Sequence, residues 1–375
     1  MKIAVDISQI VFEGTGVGRY TKNLINAFCT YETGHDYTFF CSSLRRTMPE
    51  SIKALIEKKH RLVQLKLPST FLSFLWNQLH QVPIELFIGK HDVVISSDWT
   101  QPPTSAKKIT IVHDLIAYKY PNELHPKTEF FFRNLTISPN IVKTQKRRLN
   151  WVKKEVDSIV VDSQATKDDL IEVLNISQDK IHVIYPAIEI KEPSVKQQRA
   201  VIQKYKLHQP FVLSVGKVEP RKNLPRLIEA FDKLEKDDID LVIVGTTGWD
   251  QQLTDGVKPN IKYLGYVPDE DLYALYSRAL CFIMPSLYEG FGYPLVEAMR
   301  NWCPVGASNV SSMKEIVKDV GILFDPLSTQ SITRGLKQLI ENSDLRRTLA
   351  RKGRKRSKDF SLERFTREFM RVINS

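Results

Sequence analysis

The chain opens the same way twice. Residues 2 to 7 (KIAVDI) make an apolar run of strand length, and GTGVGRYTKNLINAF follows as a glycine-bearing loop running into an amphipathic helix. At residues 211 to 216 FVLSVG repeats the strand, and KVEPRKNLPRLIEAF repeats the loop and helix. Further apolar runs follow each start. In the first half these are DVVISS (92 to 97), ITIVHD (109 to 114) and SIVVDS (158 to 163). In the second they are DLVIVG (240 to 245), IKYLGYV (261 to 267), CFIM (281 to 284), PVGAS (304 to 308) and GILF (321 to 324). Helical patterns such as DLYALYSRA and SITRGLKQLIEN mostly separate them. Strands alternating with helices are joined by crossovers, so they lie parallel in an α/β doubly wound sheet. A chain of 375 residues is long for one core, and the prior is two domains. The segment EIKEPSVKQQRA (189 to 200) is polar without apolar periodicity, so the boundary is expected near residues 188 to 208, with a cleft between two such domains.

The balance of 42% apolar and 26% charged residues is that of a globular chain. No apolar run reaches the roughly 18 to 20 residues of a bilayer crossing, and Asp6 interrupts the stretch a signal peptide would need, so a cytoplasmic location is expected. The cysteines Cys29, Cys41, Cys281 and Cys303 form no CxxC pair and read as buried thiols. The net charge of +11 calls for an anionic partner: nucleic acid, a membrane surface or a phosphorylated substrate. Basic residues gather at 142 to 157 and 345 to 360, both helical in character. The first of these interleaves Leu149, Trp151 and Val152 and follows Phe130, Phe131 and Phe132. Together with FLSFLW (71 to 76), which reads equally as a core helix, it suggests an anionic membrane surface as a partner. No RNA-binding aromatic signature or helix-turn-helix pattern accompanies the charge, which argues against nucleic acid.

Chemistry concentrates beside the strand ends. SLYEGFGYPLVEAMRN (286 to 301) spaces Glu289 and Glu297 eight positions apart, one in a loop after the CFIM strand and one in the helix that Pro294 starts. In KVEPRKN, Lys217, Arg221 and Lys222 occupy a loop between strand and helix. A helix N-terminus already favours anions, and with Pro220 stiffening the loop this reads as a diphosphate site. GTGVGRY departs from the dinucleotide fingerprint, since Arg19 stands where its third glycine belongs. Gly16 and Gly18 still permit close backbone approach by a ligand, although a plain tight turn explains them nearly as well. IVHDL ends a strand with His113, alone a satisfied core histidine but a sugar contact if it faces the cleft. Asp98 is a weaker candidate. The triplets DID (238 to 240) and DED (269 to 271) read as a polar turn and a helix N-cap, and no metal requirement is expected.

These stretches, in this order, resemble the retaining, nucleotide-sugar-dependent glycosyltransferases of the group 1 or family 4 type, which have the GT-B fold of two Rossmann-like domains. The resemblance spans essentially the whole chain and is carried by VGKVEPRKNLPRLIEAF, YLGYVPDEDLYALYSRA, MPSLYEGFGYPLVEAM, SNVSSMKEIVKDVGILFDP, GVGRYTKNLI, IVHDL and VDSQATKDDL. It implies an acceptor-binding domain at 1–190, a nucleotide-sugar-binding domain at 205–358, and a C-terminal helix at 359–375 that packs back on the first. It implies that Glu289 contacts donor-sugar hydroxyls, with the backbone at Gly290, Phe291 and Gly292 close to sugar and phosphate. Glu297 accepts from ribose hydroxyls, and Lys222, helped by Arg221 or Lys217, neutralises the diphosphate. Tyr266 and Val267 lie beside the base, Gly16 to Gly18 approach the donor, and His113 sits near the reacting carbon. The implied reaction moves a hexose, with mannose favoured, to a glycan or lipid-linked glycan in surface polysaccharide assembly, at the inner membrane face and without metal. Another enzyme on the same fold, an epimerase or phosphorylase, is the alternative, and a basic nucleic-acid-binding protein a distant one. Two positions depart from the family pattern: Trp302 stands where a glycine is common, and Lys217 where arginine or threonine is.

Overall fold

A computed structural model of the protein describes residues 1–31, 33–124, 141–246 and 258–375. The Phe130 to Phe132 run lies outside the described residues. The chain divides into two compact units, Met1–Ala187 with Leu362–Ser375, and Ile188–Ser361.

The first unit holds strands β1 (Lys2–Asp6), β2 (Asp36–Ser42), β3 (Arg61–Leu65), β4 (Val93–Ser96), β5 (Lys107–Val112), β6 (Ser158–Val161) and β7 (Ile181–Val183). Among the described residues they form one parallel sheet in the order β3-β2-β1-β4-β5-β6-β7. The second holds β8 (Phe211–Val215), β9 (Asp240–Val244), β10 (Ile261–Gly265), β11 (Cys281–Met284), β12 (Val305–Ser308) and β13 (Ile322–Phe324), parallel in the order β10-β9-β8-β11-β12-β13. Both orders reverse direction once, between β1 and β4 and between β8 and β11. At such a switch point the crossovers leave to opposite faces, and the carboxyl ends of the two strands leave a crevice for ligands. Helices cover the sheets with apolar faces. Leu227, Ala230 and Phe231 of the helix Leu224–Asp232, with Ile332, Leu336 and Leu339 of Thr329–Glu341, enclose the apolar side chains of β8, β9 and β11. The four cysteines are free and buried.

Three strands, β2, β3 and β7, lie beyond those the apolar runs mark. The 189 to 200 stretch also needs correcting. Half of it belongs to a helix, Val195–Lys204, started by a capping box in which Ser194 and Gln197 satisfy each other's backbone N–H. Only Val201 is buried along it, which is why no apolar period was visible. The helix Ile141–Glu155 is likewise less open than its sequence suggests. Leu149 and Val152 are core, while Trp151 stacks on His80 at 3.7 Å and donates through Nε1 to the Asn77 carbonyl. Of FLSFLW, Leu72 and Trp76 are buried, whereas Phe71 and Phe74 are each 46% exposed. The stretch is therefore core on one side and open on the other. No described helix is long and apolar enough to cross a membrane.

Candidate functional site

In the second unit the loop after β8 and the loop after β11 flank the switch point, and they hold each other through charge. Glu289 receives Lys222 Nζ on one carboxylate oxygen at 2.6 Å and Arg221 Nη1 on the other at 2.9 Å. The same Arg221 nitrogen donates to the Tyr288 carbonyl at 2.6 Å, and the backbone N–H of Leu287 donates to the Arg221 carbonyl at 2.8 Å, so the loops are laced as well as paired. Burial alone pushes the Glu289 carboxyl up. The neighbouring Arg221 and Lys222 charges, with the Lys222 hydrogen bond, more than offset that and hold it down at about 2. Glu289 is therefore an anion throughout the ordinary pH range. Its backbone is fixed too: its N–H donates to Ser311 Oγ, and Ser312 Oγ donates to the Glu289 and Phe291 carbonyls. Asn223, in the left-handed region, donates to the Pro285 and Pro326 carbonyls and so pins the start of the following helix.

The remaining residues of this loop pair differ in exposure. Phe291 is a core side chain set edge-on to Phe360 and Tyr293, so a ligand at this position meets its backbone. Gly290 precedes it, and Gly292 ends the loop at φ 105°, a conformation that L side chains rarely adopt, just before the helix Tyr293–Arg300. Glu297 on that helix is only 2% exposed, and its Oε2 accepts from the Tyr276 hydroxyl at 3.2 Å. Lys217 pairs with Glu219 at 2.9 Å, and Glu219 also faces Arg221 at 3.6 Å. Just beyond β10, Tyr266 is 66% exposed and Val267 is buried.

In the first unit His113 does not pair with its sequence neighbour Asp114. The Asp114 carboxylate accepts from the Ile116 N–H and starts a short helix. His113 Nδ1 instead meets Asp162 Oδ2 at 2.7 Å across the sheet, because Val112 pairs with Val161 and the next residues fall opposite each other. Burial lowers the His113 pKa. Asp162, by charge and hydrogen bond, with Asp98 and Asp114 behind it, overcomes this and raises it to about 9. The ring of Tyr20 stands edge-on to the imidazole at 4.6 Å. Asp98 is taken up by the buried Arg148 at 3.1 Å and is a structural partner rather than a free carboxylate. Gly16 is exposed at the start of the helix Gly16–Thr30, whose cap Thr15 accepts from the Gly18 N–H. Gly18 has an internal reason to be glycine, since a Cβ there would stand 2.3 Å from the Phe12 carbonyl oxygen.

Among the described residues no group of three or more His, Cys, Asp and Glu side chains could hold a metal. Asp240 of DID is buried against Lys262 at 2.6 Å. DED lies in the first turn of the helix Asp269–Arg278 rather than at its cap, and Asp271 there accepts from Lys204 and Tyr205.

Two family models tile the chain: Glycosyltransferase Family 4 matches residues 14–192, and Glycosyl transferases group 1 matches residues 196–356. The chain is a group 1/family 4 glycosyltransferase. It is 28% identical to O-antigen chain mannosyltransferase B of Escherichia coli, over 98% of this chain and 97% of that one. It is 25% identical to the O-antigen chain mannosyltransferase RfbU of Salmonella typhimurium, over 89% and 91%. The sucrose-phosphate synthase structure from Thermosynechococcus elongatus matches the fold with a TM-score of 0.73 at 18% identity, covering 100% of this chain and 98% of that one. The fold is thus GT-B.

Within this glycosyltransferase, Asp162 and Ser312 are the contributors that sequence reasoning missed. Asp162 carried a signal, an aspartate ending a strand next to the strand that ends in His113. Ser312 carried none beyond its place in SNVSSMKE.

Proposed function

We propose that the enzyme is a retaining hexosyltransferase, with mannose favoured and GDP-mannose as the donor, acting on a hydroxyl of a glycan or lipid-linked glycan in surface polysaccharide biosynthesis. The observation that carries this reading is the Lys222–Glu289–Arg221 cluster at the second unit's switch point. Two cations and one anion meet there beside a helix start, and a nucleoside diphosphate brings the charge that two cations balance. The mannosyltransferase relatives and the EPRKN loop favour mannose and polysaccharide assembly.

In the reaction the bond from C1 to the diphosphate oxygen breaks with its electron pair going to the phosphate. The acceptor oxygen bonds C1 on the same face, and its proton passes to the departing phosphate oxygen. Lys222 and Arg221 stabilise the negative charge that grows on the leaving group, the largest single contribution such a site makes. This makes a metal dispensable, and chelation is expected to leave turnover unchanged. Glu289 positions donor hydroxyls rather than attacking C1, and Gly290 to Gly292 supply backbone N–H groups. Glu297 takes the ribose, and Tyr266 and Val267 border the base. His113, an imidazolium held through Nδ1 by Asp162, keeps Nε2–H to donate to the sugar. The reading extends to a peripheral position on the inner membrane face, which the half-exposed Phe71 and Phe74 support. Flotation with anionic liposomes tests it, and absence of binding removes that part alone.

The decisive experiment is a metal-free thermal-shift panel of GDP, UDP, ADP and dTDP. A ligand that binds the native state raises the melting temperature by mass action. Stabilisation by one nucleotide, lost in Lys222→Ala and Glu297→Ala, is the expected result, and the favoured donor requires that nucleotide to be GDP. No stabilisation by any of the four overturns the site assignment.

A further inference from the structure

Among the described residues two arginines are buried: Arg221 beside Glu289, and Arg148 in the first unit, which is 0% exposed. A buried guanidinium is costly unless charge and hydrogen bonds compensate it, so its presence needs a reason. Arg148 lies on the helix Ile141–Glu155, and its two terminal nitrogens reach three acceptors. Nη1 donates to Asp98 Oδ1 at 3.1 Å. Nη2 donates to Thr110 Oγ1 at 2.9 Å and to the Ile111 carbonyl at 2.6 Å. Burial lowers the Arg148 pKa, the Asp98 and Asp6 charges oppose that, and an arginine so placed stays charged.

Strand register explains why such a group is needed there. The last residue of β4, Ser96, pairs with Thr110, whereas β5 runs on to Val112. Beyond Thr110 the β5 backbone has no strand on its β4 side, because β4 has given way to the loop that carries Asp98. Arg148 bridges this gap, with one nitrogen on the loop's carboxylate and the other on the Ile111 carbonyl. Gln145, three residues earlier on the same helix, donates through Nε2 to the Asp98 carbonyl at 2.8 Å. Ser96 Oγ lies 2.7 Å from Thr110 Oγ1 and 2.8 Å from Gln101 Oε1 and completes the network. Two residues past the gripped carbonyl stands His113. On the β6 side Asp162 holds its Nδ1, and Thr166 Oγ1 donates to its carbonyl at 3.3 Å. Tyr20 meets the ring from the helix Gly16–Thr30, and Asp98 and Asp114 act on it by charge. On the β4 side the brace is Arg148.

We infer that Arg148 is a positioning residue for the transfer reaction: by joining the end of β5 to the Asp98 loop it fixes where the His113 imidazole stands. It acts through the β5 backbone and through Asp98 rather than on substrate. The inference deepens the proposed function and rests on its assignment of His113 to the donor sugar. A lysine cannot replace Arg148, because an ammonium lacks the planar fork that serves the loop and the strand at once.

Histidine NMR and turnover on the full chain test this, with the His113 resonance identified by its loss in His113→Gln. Arg148→Lys keeps the charge but not the fork. A ring released from its place meets Asp162 less closely, so its midpoint, near 9 in wild type, should fall by about one pH unit or more. His182 on β7 should keep its own midpoint, which general loosening of the sheet would not allow. Asp98→Asn removes a charge but leaves an oxygen for the guanidinium, and its fall should be the smaller. Turnover of GDP-mannose with water as acceptor should drop about tenfold in kcat in Arg148→Lys, with KM within about twofold, since the donor is assigned to the other unit. If Arg148→Lys does not fold, Arg148→Met/Asp98→Asn removes both charges of the pair and takes its place, with the same two effects expected. A His113 midpoint unchanged in the folded variant overturns the inference, even where the melting temperature falls. A shifted midpoint with unchanged kcat confirms that Arg148 places His113 and overturns the assignment of His113 to the sugar, so the two failures are separable. A wild type that does not turn over GDP-mannose counts against that donor alone, and the midpoint still decides.

Discussion

Glu289 sits where two demands meet. It pairs with both Lys222 and Arg221 and cancels one of their two charges, and in the proposed reaction those cations would also serve a diphosphate. Its carboxyl is depressed from 4.5 to about 2, so its stabilising effect is present above the unfolded value near 4.5 and is lost as pH falls towards 2. A shift of that size corresponds to roughly 3 kcal/mol. Glu289→Gln should therefore lower the denaturation midpoint at pH 7, with the gap to wild type closing between pH 4.5 and 2. The variant should bind nucleoside diphosphate more tightly while turning over more slowly; equal or weaker nucleotide binding would mean the carboxylate does not compete with phosphate for these cations. His113 runs with the opposite sign. Its raised pKa stabilises the fold fully below about 6.5, and that contribution fades as pH rises through about 9. Histidine NMR should show a resonance titrating near 9, and Asp162→Asn should lower it, because burial is then opposed only by the more distant Asp98 and Asp114 charges. An unchanged titration in that variant would remove Asp162 as the cause. The sequence showed His113, Lys222, Arg221 and Glu289 as individuals because each sits in a short, chemically unusual loop. It could not show their partners across the sheet, since those depend on strand register.

At the scale of elements, strands with a largely apolar sequence are legible, as all six of the second unit are, whereas β2, DYTFFCS, is buried from Tyr37 to Ser42 but is interrupted by Thr38 and Ser42 and does not read as an apolar run. The edge strand β3, RLVQL, is only partly buried and alternates too weakly to stand out. The helix Val195–Lys204 was hidden for the same reason, with one buried residue on ten. Trp302, the position that departs from the family's glycine, is explained by the end of Tyr293–Arg300. Its φ is 61°, the left-handed conformation that glycine adopts freely and other residues at a cost of about 1 to 2 kcal/mol. The side chain is 52% exposed, with the Arg354 guanidinium 5.6 Å from its ring centre, so little core packing is lost on removing it. Trp302→Gly should raise the melting temperature by a few degrees. A fall would show that the Arg354 contact outweighs the backbone strain.

For the whole molecule, the repeated strand–loop–helix start was enough to read two doubly wound sheets, because crossover connections leave a chain of alternating strands and helices few other solutions. What periodicity does not carry is the return of the C-terminus. The helix Leu362–Asn374 belongs to the first unit, not to the second unit from which it emerges. Phe365 stands edge-on to Tyr20, and Phe369 to Phe28. Lys107 Nζ donates to the Val372 and Ile373 carbonyls at the helix's end. Tyr20 in turn packs on His113, so the last thirteen helical residues support a side chain the reaction is proposed to use. Phe369, fully buried, should cost about 3 to 5 kcal/mol as Phe369→Ala, and that loss should fall on one unit. Calorimetry of the variant is expected to show the first unit melting earlier. The nucleotide-induced shift, which the proposed function assigns to the second unit, should persist, and turnover should fall because His113 loses its support. If the nucleotide shift disappears together with the first unit's transition, the two units unfold as one cooperative body, and the C-terminal helix stabilises both.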